Sequence, residues 1–266
     1  MSSAYKLYVV DIEGTVAPLS LVTEQLFPYA RRHFETFLRK NFADFEKSPE
    51  SVREDTEGSV FWDIVMLGLE NRAEKDPDAP RILPKIAHES ENLKAVSMSP
   101  AYGIPRILAY IYWLMDRDRK STALKSLQGK IWKAGFESGE LKGTLLPDVP
   151  EAFARWSASS QVVIYSSGSV EAQQLLFRYS NYGDLTAHIS GYFDTRTGPK
   201  KESASYVAIT AAMHVDPAEA IFFSDVVGEL DAAREAGLAT RLVVREGNAQ
   251  VEDAHGHNAI ESLALV

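Results

Sequence analysis

Apolar and polar positions along the 266-residue chain fall into two rhythms. Residues 5–10 (Tyr-Lys-Leu-Tyr-Val-Val) are β-branched and aromatic and stop abruptly at Asp-Ile-Glu-Gly-Thr, the pattern of a buried strand feeding a loop. From about residue 20 to residue 146 the period lengthens. Phe27, Ala30, Phe34, Phe37 and Leu38 recur at three- and four-residue steps. So do Ile107, Leu108, Ile111, Leu114 and Met115, and again Leu124, Leu127, Ile131 and Ala134, which predicts helices. Between them Pro77, Pro80, Pro84, Pro100 and Pro105 predict an irregular crossover with short helical pieces. Strand–helix alternation then takes over. A strand at 161–165 precedes a helix with Ala172, Leu175, Leu176 and Tyr179 on one face, and a strand at 189–193 precedes one carrying Tyr206, Ile209 and Met213. A strand at 220–223 runs into Ser224-Asp225, its helix stops at Gly237 with a left-handed C-cap, and 241–244 supplies a last strand.

Strands alternating with helices of this length imply right-handed crossovers and a parallel sheet covered on both faces. The expected fold is therefore α/β, a doubly wound, Rossmann-type parallel-sheet core formed by residues 1–19 and 147–266. A helical cap, 20–146, is inserted after the first core strand. Hydrophobic residues at 45% and charged residues at 24% exclude wholesale disorder and fibrous architecture. The net charge of −9 is the wrong sign for a protein that neutralises nucleic-acid backbones, though a few local cations suffice for a small phosphorylated substrate. The absence of cysteine removes disulfides, thiolate zinc sites, iron–sulfur clusters and cysteine nucleophiles together. The most apolar stretch, 107–115, is too short to cross a bilayer, and Asp11 interrupts 7–10 before a signal-peptide core forms. A soluble, cytosolic protein with no membrane partner is the expectation, and without a long exposed heptad pattern a monomer.

In an open parallel sheet, ligands bind beyond the carboxyl ends of the strands. After the first strand come Asp11, Glu13, Gly14 and Thr15; after the second, Ser166, Ser167 and Gly168. Lys200 and Lys201 lie beyond the third, and Ser224 and Asp225 follow the fourth. Each type has a use in phosphoryl transfer. Asp11 can attack phosphorus and form an aspartyl-phosphate, which splits one hard displacement into two easier ones. Attack by one anion on another needs a cation, and oxygen ligands with room for water suit Mg²⁺, with Asp11 and Asp225 coordinating through their side chains. Glu13 can protonate the leaving oxygen and then activate water. Ser166 can hydrogen-bond a phosphoryl oxygen, Lys200 can neutralise charge, and Ser167 and Gly168 can offer backbone N–H groups at a helix start.

These residues resemble the four motifs of haloacid-dehalogenase-like hydrolases in order: Asp11-x-Glu13-x-Thr15, a strand-end serine, a downstream lysine, and Ser224-Asp225. Lys200 lies 34 residues after Ser166, and Asp225 lies 25 after Lys200. The second acid is Glu where most members have Asp. Asp-Ile-Glu-Gly-Thr, Phe27-Pro28-Tyr29-Ala30, Leu127-Gln128-Gly129-x-x-Trp132 and the run from Ile164 through Tyr165-Ser166-Ser167-Gly168-Ser169 to Gln173 are similar to the enolase-phosphatase branch, also called acireductone synthase. The resemblance covers nearly the whole chain. It implies a Mg²⁺-dependent enzyme of methionine salvage. Such an enzyme enolises 2,3-diketo-5-methylthiopentyl-1-phosphate and hydrolyses the phosphate to release the acireductone. It also implies metal ligation by Asp11, Glu13 (through its backbone carbonyl) and Asp225, and substrate contacts at Ser166, Ser167 and Lys200. Two departures touch none of this chemistry: Val16 replaces a small polar residue, and the turn 157–160 lacks a glycine.

Other readings compete at several positions. Ser169 competes with Ser166 for the helix cap. Lys201 competes with Lys200, which the Gly198-Pro199 turn and the family's Gly-x-Lys pattern favour. Glu229 competes with Asp225, which is favoured for its place at the strand end, with Glu229 supporting the shell around it. Trp132 and Phe136 are expected to pack, His255-Gly256-His257 to be solvated in a polar tail, and the acidic run 50–57 to be exposed. At the level of function, a generic Mg²⁺-dependent small-molecule phosphatase is the alternative, with the cap deciding between the two. A dehalogenase has no use for Glu13 and Asp225 together, and a silent scaffold has no use for the whole set.

Overall fold

A computed structural model describes residues 5–47, 59–82 and 100–266 of the chain. The acidic run 50–57 and Pro84 lie outside the described residues. The chain divides into two compact units, one made of Met1–Leu26 with Gly135–Val266 and the other of Phe27–Ala134.

The first unit is built on six parallel strands: β1 (Leu7–Val10), β2 (Gln161–Tyr165), β3 (Gly191–Phe193), β4 (Ala220–Ser224), β5 (Ala239–Val243) and β6 (Asn258–Ile260). They are ordered β3-β2-β1-β4-β5-β6, with β1 in the middle. Val10 pairs with Ile164 on one side and Phe223 on the other, so the three central strands end level with one another. All four residues of β1 are buried, because a strand hydrogen-bonded on both edges and covered on both faces meets no water. Alternate side chains feed two cores. Tyr8, Val10, Ile164 and Phe223 pack against Phe153 and Trp156 of α5 (Val149–Ser157) and Phe177 of α6 (Val170–Arg178). Leu7, Val9, Tyr165 and Phe222 pack against Tyr206 and Ile209 of α7 (Ser203–Ala212) and Leu230 of α8 (Val227–Glu235). Trp156 stacks between Tyr8 and Phe223, with ring centroids 4.5 and 5.2 Å away. Offset pairs of this kind add roughly 0.5–1.5 kcal/mol each beyond their buried area. Gly237 closes α8 with φ +97°, as its sequence position predicts.

Two expectations for this unit need correction. The strand at 239–243 is not the last, since β6 adds to the sheet edge beyond it. Its three residues, Asn-Ala-Ile, are largely exposed and leave no apolar run for a pattern to register. Of the two preceding histidines, His255 is exposed as expected but His257 is not solvated. The His257 side chain is fully buried, with Nδ1 2.7 Å from Thr240 Oγ1 and Nε2 3.1 Å from Asp231 Oδ1. His255 Nδ1 lies 2.6 Å from the other Asp231 oxygen.

The second unit is helical: α1 (Phe27–Lys47), α2 (Val60–Ala73), α3 (Pro100–Asp116) and most of α4 (Thr122–Ser138). Pro105 is a correction, for it sits inside α3 and not in an irregular crossover. Buried Ile104, Ile107, Leu108 and Ile111 hold the helix through the backbone hydrogen bond that proline forfeits. Helix α2 has no apolar stripe in sequence. Ser59 caps it by accepting from Trp62 N at 3.0 Å, and the buried Asp63 is satisfied by Ser126 and Lys130 of α4. Trp132 stacks on Phe27. In the first unit, Phe136 stacks on Tyr179. Among the described residues, no helix is long and apolar enough to cross a membrane.

Candidate active site

Every sequence-derived site residue belongs to the first unit, at the carboxyl edge of its sheet. Asp11 leaves β1 and is 3% exposed. Its backbone N–H still donates to Phe223 O at 3.0 Å, so the ladder carries one residue past the strand and fixes the carboxylate. Asp11 Oδ1 accepts from Ile12 N at 2.8 Å and lies 2.7 Å from Lys200 Nζ. The chain then folds back on itself. Thr15, Val16 and Ala17 all donate to Ile12 O, while Gly14 takes φ +69° and donates to Ala17 O. Glycine is required twice over here. A Cβ at this φ is strained, and it would overlap the Asp225 carboxylate and approach Asn248 Oδ1 to 3.1 Å.

Ser166, at the end of β2, has no exposed surface and donates to Glu13 Oε2 at 3.3 Å. Its rivalry with Ser169 resolves by geometry. Ser169 caps α6, accepting from Ala172 N, and Ser166 Oγ accepts from Gly168 N at 3.1 Å. Ser167 is exposed. Gln173 ties this loop to the next strand, its amide donating to Gly168 O and Phe193 O.

Lys200 and Lys201 part ways. Lys201 is exposed, whereas the Lys200 side chain is 11% exposed and reaches Asp11 Oδ1 and Glu229 Oε2 at 2.7 and 2.6 Å. Three hydroxyls set the turn that carries it: Tyr165 donates to Gly198 O, Ser205 to Pro199 O and Tyr206 to Lys200 O. Ser224 Oγ, at the end of β4, lies 3.0 Å from Glu229 Oε2 and 3.3 Å from Asp11 Oδ2. Glu229 thus braces the ammonium and the serine. Asp225 stands beside Gly14.

Four carboxylates (Asp11, Glu13, Asp225, Glu229) therefore lie in the field of one ammonium, which is in contact with Asp11 and Glu229. Burial raises the Glu13 carboxyl above its ordinary range, with the Asp11 charge adding to it. Burial and the same charge raise Glu229, and they push Asp225 to about 6. For Lys200 burial favours the neutral form, but Asp11 and Glu229 outweigh it and the pKa moves up. Among the described residues, no group of three or more His, Asp or Glu side chains is arranged to hold a metal ion. One oxygen of the Glu13 carboxylate faces Ser166.

A fifth strand end also contributes, which the sequence reading passed over. Arg245, after β5, donates from Nε to Thr15 O at 3.1 Å and pairs with Asp148 at 2.9 Å. Asn248 donates from Nδ2 to Gly14 O at 2.9 Å and to Val243 O at 3.3 Å. The available signal was Gly247-Asn248, a turn dipeptide just past an apolar run.

Comparison with known proteins gives the family. Residues 5–237 match the family model described as haloacid dehalogenase-like hydrolase. Enolase-phosphatase E1 of Synechococcus elongatus is 49% identical over 92% of this chain and 90% of its own length. The protein of the same name from Pseudomonas fluorescens is 38% identical over 97% and 95%. The crystal structure of UTR4 protein from Saccharomyces cerevisiae superposes with a TM-score of 0.67 at 33% identity, covering 97% of this chain and 98% of that one. With an aspartate at the end of the central strand, a serine on one neighbouring strand and a serine–aspartate pair on the other, the chain belongs to the haloacid dehalogenase-like hydrolases and, among them, to the enolase-phosphatase family.

Proposed function

We propose that this chain enolises 2,3-diketo-5-methylthiopentyl-1-phosphate and then hydrolyses its phosphate, releasing 1,2-dihydroxy-3-keto-5-methylthiopentene, the acireductone of methionine salvage. The observation that carries the reading is the pairing of buried Asp11 with Lys200 at 2.7 Å, beside an acid, Glu13, whose pKa burial raises. The Asp11 carboxylate attacks phosphorus. The new O–P bond forms as the bond to the substrate oxygen breaks, and Glu13 gives its proton to that oxygen. Lys200 balances charge on the transferring group, and the Ser166 hydroxyl, which donates to Glu13 at 3.3 Å in the free chain, turns that hydrogen to a phosphoryl oxygen when substrate binds. In the second half, water attacks phosphorus, its proton passes to Glu13, and the bond to Asp11 breaks to free inorganic phosphate. Ser167, exposed beside Ser166, contributes a substrate contact.

The donor set suits Mg²⁺: hard oxygens only, an excess of buried negative charge, and a glycine where a side chain would fill the space beside Asp225. Asp11 and Asp225 through their carboxylates and Glu13 through its carbonyl would hold the ion, which supplies charge neutralisation for anion-on-anion attack. The helical insert, 20–146, selects the substrate, since the core performs the same displacement on any small phosphoester. The test is to give the purified protein the diketo phosphate and follow both acireductone absorbance and phosphate release. Both signals are expected. Phosphate without the chromophore would replace this reading with that of a generic phosphatase.

A further inference from the structure

Asn248 does more than brace a turn. Its Nδ2 is spent on Gly14 O and Val243 O, which fixes the amide plane and thereby the direction of Oδ1. That oxygen is buried and has no hydrogen-bond partner among the described residues. A buried acceptor left unpaired costs roughly 1–3 kcal/mol, so its retention calls for a donor that the polypeptide itself does not provide. The Asp225 carboxylate lies on the same side of Gly14. Asp225 Oδ2 and Asn248 Oδ1 are both within 3.1 Å of the point where a Gly14 Cβ would stand. Two acceptors so placed, with no hydrogen between them, match the two O–H groups of one water molecule.

We propose that Asn248 is a positioning residue for the metal site, its amide oxygen holding a solvent molecule of the ion's hydration shell against Asp225. The inference rests on the Mg²⁺ reading above. Mg²⁺ held by one or two carboxylates generally keeps part of its water shell, and an outer acceptor that orients such water stabilises the bound state, typically by 10–100-fold in affinity. Arg245 serves the same turn differently. Its Nε, Nη1 and Nη2 donate to Thr15 O, Glu261 O and Asp148 Oδ1 in turn.

Calorimetric titration of the full chain with MgCl₂, without substrate, tests the assignment alongside thermal unfolding in the absence of metal. Wild type should bind Mg²⁺, and Asn248→Ala should bind it about tenfold more weakly. Asn248→Asp loses the same donor to Gly14 O but keeps an acceptor at the position of Oδ1 and adds charge. It should therefore bind Mg²⁺ at least as tightly as wild type while unfolding at a lower temperature. A residue that merely braced Gly14 would behave otherwise, because Asp would repel the Gly14 carbonyl and be no better than Ala. Unchanged affinity in Asn248→Ala, or weaker binding in Asn248→Asp than in wild type, overturns the proposal. If Asn248→Ala does not fold, Asn248→Leu, neutral and of similar size but without the acceptor, takes its place with the same expected loss of affinity. A wild-type chain that binds no Mg²⁺ instead sinks the metal reading itself, a failure distinct from the other two.

Discussion

Replacing Lys200 with methionine removes the cation shared by the buried acids and keeps the bulk of the side chain. The ammonium lies 2.7 Å from Asp11 and 2.6 Å from Glu229, with these side chains between 4 and 11% exposed. At an effective dielectric of about 20, each pair is worth about 6 kcal/mol of gross Coulomb attraction, much of it offset by the cost of desolvating the ions. Breaking such a pair from one side leaves uncompensated buried charge, for a net loss of roughly 3–5 kcal/mol. Against a typical stability of roughly 5–15 kcal/mol the variant folds but marginally. The loss should also depend on pH. Glu13, Asp225 and Glu229 have raised pKa values in the folded state, so the folded chain holds protons that the unfolded chain has released. Stability therefore falls as pH rises through the window, which for Asp225 runs from 3.8 to about 6. Lys200 remains charged throughout, its own pKa being raised. Without it the carboxylates hold their protons more strongly still, and the deficit widens as pH rises. Metal-free urea unfolding measures this, followed by the fluorescence of Trp156, 2% exposed and stacked on Tyr8, in a background where Trp62, Trp113 and Trp132 are replaced by phenylalanine. At about pH 8 the midpoint should fall by on the order of 2 M, and at about pH 5 by less than half of that. Lys201→Met, at an exposed position, should change stability by less than about 0.5 kcal/mol. A loss independent of pH, or one no larger than that of Lys201→Met, would refute the shared-charge account.

Two further substitutions separate chemistry from architecture. Asp11→Asn keeps the shape of the side chain and relieves a four-acid cluster of one charge. The variant should unfold no earlier than wild type, while phosphate release drops by about 10⁴-fold or more; near-normal turnover would remove Asp11 as the nucleophile. Gly14→Ala combines strain at φ +69° with overlap on the Asp225 carboxylate, for about 1–3 kcal/mol of backbone cost and a displaced ligand. Thermal unfolding and phosphate release should both show it, and unchanged activity would mean that Asp225 has no fixed role.

The residues differ in how much of their role the sequence displays. Strands β1, β2 and β4 are legible because burial on both faces turns them into unbroken apolar runs that end at polar loops. The rivalries at Ser166, Lys200 and Asp225 narrow on motif and position alone, since each choice concerns neighbours a few residues apart. Strand β6 is invisible for the opposite reason: an edge strand of three exposed residues is held by backbone pairing that leaves no trace in side-chain type. Helix α2 lacks a stripe because apolar residues ring it, and Pro105 misleads because tertiary burial outweighs a local rule. His257 reads as surface until Thr240 and Asp231 are seen around it. Arg245 and Asn248 act on carbonyls 230 and 234 positions away, and no local pattern encodes a bond to a distant backbone oxygen.

The level ending of β1, β2 and β4 has a consequence for how far this centre can drift. Neighbouring strands stand ~4.8 Å apart, an interval set by backbone hydrogen bonds and indifferent to side-chain identity. With Val10 flanked by Ile164 and Phe223, the lateral separations among the groups that follow are lattice constants of the sheet, not products of loop length. Loops and insertions can therefore lengthen, shorten or be exchanged without rescaling the distances that the reaction depends on. A slip of one residue along any of the three strands would move its acid or hydroxyl by ~3.3 Å and turn it to the opposite face. Gradual change is thus tolerated everywhere except in register, where the smallest available step is already too large.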